Sequence, residues 1–138
     1  MSRYLVDKSA LARLETSGEV RGALYSPLVT GRVATCGVVD LEVLYSARSP
    51  DHHGRLASAL RGLPRVKITE AIVDRALDVQ ARLAKRSQHR GVTPPDLIIA
   101  ACAESAELTV LHYDADYERI AEVTGQPVRW VVPRGSVD

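Results

Sequence analysis

The sequence predicts an α/β fold in which a short, mainly parallel sheet is covered by helices on both faces. Short apolar runs such as Val33–Cys36 alternate with helix-like segments along the chain, a pattern typical of parallel sheets with both faces buried. Several acidic residues stand where a strand ends or a helix begins, the edge at which α/β folds build their sites. With 138 residues, a single domain spanning 1–138 is the simplest organisation.

The first half of the chain contains three strand-like and four helix-like segments. Thr30-Gly31 and Gly37 interrupt the pattern, and Ser49-Pro50 suits the end of one helix and the start of another. The predicted elements are a strand at 3–6, helices at Ser9–Thr16 and about 19–28, a strand at Val33–Cys36, helices at Val38–Arg48 and His52–Gly62, and a strand at Val66–Ile68.

The second half continues the alternation with a long amphipathic helix. Apolar residues recur at helical spacing over 70–89, after Thr69 and before Gly91. The remaining predicted elements are a helix at Pro94–Glu107, a strand at Thr109–His112, a helix at Ala115–Thr124 that ends at Gly125, and a strand at Val128–Val132.

Composition places the chain among ordinary globular proteins, with 46% apolar and 25% charged residues. The net charge of +1 neither indicates nor excludes a nucleic-acid partner. Cys36 and Cys102 lie in apolar surroundings, which predicts two buried, reduced thiols in preference to a disulfide. The N-terminus lacks the apolar stretch of a signal peptide and no run reaches transmembrane length, so we expect a cytoplasmic protein with no membrane association.

Four acidic residues, Asp7, Glu42, Asp96 and Asp114, are each attached to a different predicted element. Parallel strands would bring them to one edge, where carboxylates repel one another unless a cation holds them. Hard oxygen ligands suit Mg²⁺ or Mn²⁺, and such an ion activates water near neutral pH. The pattern therefore predicts metal-assisted phosphate chemistry.

Each acid also has a structural interpretation. Asp7 and Asp114 could cap the helices that follow them, and Asp96 stands three residues after Thr93, as in a capping box. Glu42 lies on a helix that is apolar nearly all round, so that helix is expected to be buried. A buried carboxylate needs a metal or a salt bridge, for example to an arginine.

Four segments in this order resemble the PIN-domain ribonucleases, and more narrowly the VapC toxins of bacterial toxin–antitoxin pairs. The segments are Tyr4–Leu11, Leu41–Arg48, Pro95–Ala101 and Val110–Ala121. The resemblance implies a three-layer α/β/α PIN-like fold and Mg²⁺-dependent endoribonuclease activity. It also implies an RNA substrate, a VapB-type antitoxin as partner and a homodimer.

The resemblance assigns roles by position. Asp7, Glu42, Asp96 and Asp114 match the family's acidic quartet, with Asp7 and Asp96 as the direct metal ligands. Asp116 matches an additional acid, and Ser9 matches a small hydroxyl residue that supports Asp7. Lys8 is a departure, because many members carry a small hydroxyl residue there; it could pair with an acid or meet substrate phosphate.

Two surfaces follow as expectations. The basic residues Arg82, Lys85, Arg86 and Arg90 form a cluster with His89 that could bind RNA phosphates, the alternative being a solvated helix end. Within it, Arg82, Arg86 and His89 or Arg90 could share one helical face. The antitoxin contact is expected on the helices at 9–28 and 50–62, with core packing as the alternative for their apolar residues, which are Leu11, Leu14, Val20, Leu24, Leu56 and Leu60.

Two other functions compete with the nuclease. Phosphatases with an aspartate nucleophile also carry Asp after the first strand, but they typically show Asp-x-Asp, whereas this chain has Asp7-Lys8-Ser9. A non-catalytic RNA-binding or scaffold PIN domain is the second alternative, and the presence of all four acids argues against it.

Overall fold

A computed structural model describes residues 1–138, in which five strands alternate with seven α-helices. The strands are β1 (Tyr4–Val6), β2 (Val33–Cys36), β3 (Arg65–Val66), β4 (Thr109–His112) and β5 (Val128–Trp130). The helices are α1 (Lys8–Leu11), α2 (Gly18–Val29), α3 (Gly37–Tyr45), α4 (Pro50–Arg61), α5 (Glu70–Lys85), α6 (Pro94–Ser105) and α7 (Asp116–Thr124), with a 3₁₀ turn at His89–Gly91.

The strands form one parallel sheet in the order β3-β2-β1-β4-β5. The first strand is therefore central, with β2 on one side and β4, from the far end of the chain, on the other. All carboxyl ends point to one edge of the sheet. Residues that follow β1, β2 and β4 meet at this edge although they are distant in sequence.

Two hydrophobic cores lie on opposite faces of the sheet. Side chains alternate along a strand, so Leu5 joins a core of 21 buried residues while Val6 joins one of 8. The larger core packs α3, α5, α6 and α7 against one face, and the smaller core packs α2 through Val20 and Leu24 against the other. The predicted α/β/α arrangement with a parallel sheet is confirmed.

Local sequence explains several helix starts. Ser17, Ser49 and Thr69 precede α2, α4 and α5, and each side-chain oxygen accepts a hydrogen bond from the backbone N–H three residues on. Helix α7 ends at Gly125, which adopts φ 74°. This left-handed conformation is common just after a helix, and glycine adopts it without strain. Val33–Cys36 and Thr109–His112 are strands with the predicted bounds.

Two predicted helices are too long. The helix predicted at Ser9–Thr16 ends at Leu11, because residues 12–16 form tight turns that lead to the Ser17 cap. The helix predicted at 70–89 ends at Lys85: Ser87 adopts φ 57°, and the N–H of Gln88 donates back to the Leu83 carbonyl, as in a Schellman motif. Arg90 therefore cannot continue the helical face of Arg82 and Arg86.

Helix α3 is shorter than predicted and is not buried all round. It ends at Tyr45, and it buries Val39, Asp40 and Val43 while Leu41 and Tyr45 are 70% and 92% exposed. The expectation of a buried helix was wrong because one apolar face of α3 meets solvent beside the carboxyl edge of the sheet. The burial of an acid, Asp40, was not predicted.

The apolar residues assigned to an antitoxin contact pack into the cores instead. Val20, Leu24 and Leu60 are buried, and Leu11, Leu14 and Leu56 pack against the cores as partly buried side chains. The exposed apolar residues of α2 are Tyr25 and Val29. Core packing, the alternative weighed from the sequence, accounts for the six residues.

Cys36 and Cys102 are both buried and free, as predicted. None of the helices has the length and apolar character needed to cross a membrane.

Candidate metal and active site

Five acidic side chains from four parts of the chain line one pocket at the carboxyl edge of the sheet. The pocket has a volume of about 410 Å³ and contains Asp7, Glu42, Asp96, Asp114 and Asp116. Asp7 directly follows β1, and Glu42 lies on α3, which leaves the end of β2. Asp114 follows β4, Asp116 begins α7, and Asp96 lies in the first turn of α6.

The carboxylates form two overlapping groups. One oxygen from each of Asp7, Glu42 and Asp96 lies within 4.8 Å of the others, and the same holds for Asp96, Asp114 and Asp116. Asp96 belongs to both groups. The structure therefore brings together all five acids singled out in the sequence, and Asp96 is the central one.

Asp7 is held by hydrogen bonds at both carboxylate oxygens. The N–H of Ser9 donates to Oδ2 at 3.0 Å, so Asp7 also caps α1. The Tyr117 hydroxyl donates to Oδ1 at 2.7 Å. Ser9 supports Asp7 through its backbone N–H and not through its hydroxyl, which accepts from the N–H of Tyr113 at 2.8 Å and ties α1 to the end of β4.

Tyr117 is a residue of the site that sequence reasoning missed. It is fully buried, and its hydroxyl oxygen lies 3.3 Å from Asp96 Oδ1 in addition to its bond to Asp7. A tyrosine one residue after Asp116 reads as core in an amphipathic helix, and its ring does belong to the larger core. The one signal that could have suggested a role in the site is chemical: a tyrosine on the buried face of a helix needs a polar partner for its hydroxyl.

Asp114 and Asp96 differ in their local contacts. Asp114 Oδ1 accepts from the Asp116 N–H at 2.9 Å, which fits the predicted capping role as well as the pocket. The capping box predicted for Thr93 and Asp96 does not form, because the Thr93 side chain makes no capping bond. The salt bridge considered for Glu42 is absent too, since no Lys, Arg or His nitrogen lies within 4.0 Å of its carboxylate.

Each carboxylate in the pocket destabilises the ionised form of its neighbours and so raises their pKa. Burial, reinforced chiefly by Asp7 and then by Asp114, raises the pKa of Asp96 to about 7. Burial and the Asp7 carboxylate also raise the pKa of Glu42, which the Lys8 ammonium partly offsets. The pKa of Asp116 is raised by burial and by Asp114.

This donor set fits a divalent cation. The ligand atoms are carboxylate oxygens, which hard ions such as Mg²⁺ and Mn²⁺ prefer. A cation in the pocket would relieve the repulsion that raises the pKa of Asp96 and Glu42. Asp7, Glu42 and Asp96 are close enough to share one ion.

His112, which ends β4, belongs to the core and not to the donor set. Its Nδ1 accepts from the Asp114 N–H at 3.1 Å, so the proton resides on Nε2. The ring packs between Tyr117 and Trp130, with centroid distances of 5.1 and 4.9 Å. Burial lowers the pKa of His112, which favours the neutral ring beneath the acidic pocket.

Asp40 is a buried acid with a structural role. Its carboxylate accepts from the Thr35 hydroxyl at 2.7 Å and pairs with Arg65, which joins α3 to β2 and β3. Because Glu42 lies on the same short helix, this ion pair helps to fix the helix that carries Glu42. The Asp40 and Glu42 side chains leave α3 on different faces, so one supports the fold and the other lines the pocket.

Positive charge at the pocket comes from Lys8, which the sequence analysis singled out, and from Arg13, and not from the predicted basic cluster. Lys8 and Arg13 line the pocket, and Arg13 was not singled out from the sequence. In the predicted basic cluster, Arg82 pairs with Asp78 at 3.3 Å and Arg86 approaches Glu122 at 4.0 Å. Lys85 and Arg90 are exposed and unpaired, and none of the four lines the pocket.

Comparison with known proteins identifies the family. The PIN-domain profile matches residues 4–123. Ribonuclease VapC51 of Mycobacterium tuberculosis is 46% identical over 136 residues, which cover 99% of this chain and 98% of the relative. The chain belongs to the VapC group of the PIN-domain family. Ribonuclease VapC21 of the same species is 44% identical over 136 residues, which cover 98% of this chain and 98% of the relative.

Solved structures of a VapBC complex and of a further toxin–antitoxin complex share the fold. DNA-bound VapBC from Salmonella typhimurium superposes with a TM-score of 0.75 at 17% identity, covering 96% of this chain and 100% of the matched one. A toxin–antitoxin complex from Klebsiella pneumoniae gives 0.72 at 21% identity, covering 94% and 98%. The predicted resemblance to VapC PIN domains is confirmed.

Proposed function

We propose that this VapC-type protein is a divalent-metal-dependent endoribonuclease that hydrolyses RNA phosphodiester bonds. The observation that carries the proposal is the pair of carboxylate groups that share Asp96, each with its oxygens within 4.8 Å. The relatives named ribonucleases, at 46% and 44% identity over nearly the whole chain, support RNA as the substrate. Mg²⁺ is the proposed ion, with Mn²⁺ as a substitute.

Asp7 and Asp96 are the proposed direct ligands, with Glu42, Asp114 and Asp116 completing the donor set. Asp7 is fixed at both oxygens before any ion arrives, so its remaining lone pairs keep one orientation. A bound divalent ion would lower the pKa of a water molecule and stabilise charge on the leaving oxygen. Glu42, whose carboxylate oxygen lies within 4.8 Å of oxygens of Asp7 and Asp96, is placed to accept the proton that an attacking water loses.

The non-catalytic scaffold alternative is less well supported. A PIN domain that only binds RNA has no need for five acids in one pocket, which disfavour RNA phosphates when no cation is present. The raised pKa of Asp96 is likewise expected of a site arranged for a cation.

The test is cleavage of structured RNA by protein purified free of any partner, with Mg²⁺, with Mn²⁺ and with EDTA. Asp7→Asn and Asp96→Asn should each lower the cleavage rate by at least about a hundredfold, the size of effect seen when groups that stabilise the transition state are removed. Asp74→Asn is the matched control, because Asp74 is an exposed, unpaired acid of α5.

The outcomes separate the alternatives. Cleavage that needs the ion and is lost in both site variants but not in Asp74→Asn supports the proposal. Cleavage that persists in both variants would remove the site assignment. RNA binding without cleavage under every metal condition would favour the scaffold.

We propose further that the protein is the toxin of a toxin–antitoxin pair, that it acts in the cytoplasm and that it forms a homodimer. The support is membership of the VapC group and the fold shared with complexes such as VapBC from Salmonella typhimurium. Expression alone should arrest growth, and co-expression of a small protein encoded next to it should restore growth. Growth that is unaffected by the wild type would contradict the toxin role.

A further inference from the structure

Arg13 is held in one orientation at the wall of the acidic pocket. Its Nη1 donates to the Ser9 carbonyl at 2.6 Å, and its Nε donates to the main-chain oxygen of Asp138 at 2.7 Å. The guanidinium carbon lies 4.4 Å from the centroid of the Tyr113 ring, within the range of a cation–π contact. Three separate contacts therefore fix a side chain that is usually mobile.

The platform beneath Arg13 is itself fixed. The Tyr113 hydroxyl donates to the Val137 carbonyl at 2.8 Å and accepts from the N–H of Gly135 at 2.9 Å. Its ring meets Trp130 edge to face at 5.3 Å. The orientation of Arg13 is thus determined by β4, β5 and the last residues of the chain together.

Arg13 pairs with no side-chain carboxylate, although five such carboxylates line the same pocket. No side-chain carboxylate oxygen lies within 4.0 Å of its nitrogens, and Nη2 makes no hydrogen bond to the protein. A guanidinium held this way keeps its Nη2 edge free of protein hydrogen bonds. Arginine in such an arrangement recognises planar or tetrahedral oxyanions.

We infer that Arg13 binds a phosphate of the RNA strand next to the phosphate that is cleaved. The inference rests on the proposed nuclease function. Phosphates repeat at every nucleotide, so a strand with one phosphate at the carboxylate groups places its neighbours against the pocket wall. Arg13 is the oriented cation on that wall, and it sets the position of the strand without contacting the reacting atoms.

The test is binding of a short fluorescein-labelled RNA stem–loop, measured by anisotropy over a range of salt concentrations. All proteins carry Asp96→Asn so that the RNA is not cut. Arg13→Gln keeps a hydrogen-bond donor but removes the charge, and Arg13→Lys keeps the charge but not the planar fork. Arg32→Ala is the control for the loss of one positive charge, because Arg32 is exposed at the opposite, amino-terminal end of β2.

Arg13→Gln should raise the Kd about tenfold, the effect of one charge-assisted hydrogen bond. It should also reduce the slope of log Kd against log salt by about 0.7, the contribution of one phosphate on a single strand. Arg13→Lys should change the Kd and the salt slope less than Arg13→Gln does. In the cleavage assay with Asp96 intact, Arg13→Gln should raise KM more than it lowers kcat.

The controls distinguish failure of the proposed role of Arg13 from failure of the proposed nuclease function. An Arg13→Gln protein that matches Arg32→Ala in Kd and salt slope would overturn the role of Arg13 and leave the nuclease proposal standing. A shift in the unfolding midpoint with no change in salt slope would show that Arg13 is structural, which also overturns the inference. Failure of the wild type to bind or cut any RNA would remove the proposed function and this inference with it.

Discussion

The Tyr117 hydroxyl donates a 2.7 Å hydrogen bond to Asp7 Oδ1 from a fully buried position. The same oxygen lies 3.3 Å from Asp96 Oδ1, so one phenol bridges the two proposed direct metal ligands. Groups that hold metal ligands from behind fix ligand orientation and tune affinity. Tyr117 is therefore a positioning residue, set by α7, for ligands that come from β1 and α6.

Tyr117→Phe should weaken metal binding without disturbing the fold. The ring stays in the larger core, while Asp7 loses one of its two hydrogen bonds. Loss of such a supporting bond typically lowers metal affinity about 10–100-fold. Titration calorimetry with Mn²⁺ measures this directly, with Tyr25→Phe on the exposed face of α2 as control. Equal Mn²⁺ affinity in the two variants would contradict the positioning role.

The metal-free protein should lose stability as the pH rises from about 4 to about 7. The ordinary pKa of an aspartate is 3.8, whereas the pKa of buried Asp96 is raised to about 7. Between these values the folded state keeps a proton that the unfolded chain has released, so the free energy of unfolding falls with pH. The slope from this one group is at most about 1.4 kcal/mol per pH unit.

Urea unfolding in EDTA at several pH values measures that slope, and Asp96→Asn should largely remove it. Adding Mn²⁺ at pH 7 should restore stability, by about 2.7 kcal/mol when its concentration is a hundred times its Kd. A wild-type stability that rises over this pH range in EDTA would show that the acids of the pocket do not repel one another as described.

Asp40→Asn should lower stability and leave the metal site intact. The substitution removes the charge that pairs with Arg65 and weakens the bond to Thr35, at a cost of about 2 kcal/mol for a partly exposed, charge-assisted pair. Urea unfolding gives the stability, and Mn²⁺ calorimetry should give a Kd close to that of the wild type. A loss of Mn²⁺ binding in folded Asp40→Asn protein would place Asp40 in the site.

Leu77→Glu should disrupt the proposed homodimer. Leu77 is 58% exposed in an apolar groove between α5 and α6, which Val73, Pro94 and Ile98 also line. If a second subunit covers this groove, the dimer would have to bury the new carboxylate without a partner, which is unfavourable. Sedimentation velocity should show a dimer for the wild type and a monomer for Leu77→Glu. Val29→Glu on α2 is the control, and a dimer that persists in Leu77→Glu would exclude this face.

Lys85 and Arg90, the two unpaired members of the predicted basic cluster, should contribute to RNA binding only through long-range charge. Neither lines the pocket, and exposed charges act weakly at physiological salt. The double variant Lys85→Ala, Arg90→Ala should raise the Kd for the RNA stem–loop less than Arg13→Gln does, with the difference greatest at low salt. A larger effect than that of Arg13→Gln would restore the cluster as the main RNA contact.

The sequence predicted the parts of the molecule that depend on local pattern. The alternation of elements defines the parallel sheet, and strand ends bring Asp7 and Asp114 to one edge. Glu42 was expected in the pocket on the argument that its helix is buried, which is wrong for Leu41 and Tyr45. The correct position thus followed from partly incorrect reasoning, because burial of α3 depends on tertiary neighbours.

The residues that sequence reasoning missed act through contacts between distant parts of the chain. Tyr117 meets Asp7 across 110 positions, and Arg13 meets Asp138 across 125. Periodicity and capping rules describe neighbours in sequence and carry no information about such pairs. The end of α5 at Lys85 was also missed, since it depends on a left-handed serine at position 87, where glycine or asparagine is the usual signal.

The central position of β1 has a consequence for synthesis. Its partner β4 and the acids Asp114 and Asp116 are synthesised about a hundred residues after β1, so a nascent chain that has only reached α3 holds Asp7 and Glu42 without the remainder of the pocket. Most of the protein must leave the ribosome before the fifth carboxylate can join the others. A growing polypeptide of this sequence therefore cannot complete the acidic pocket until the residues after β4 have been made.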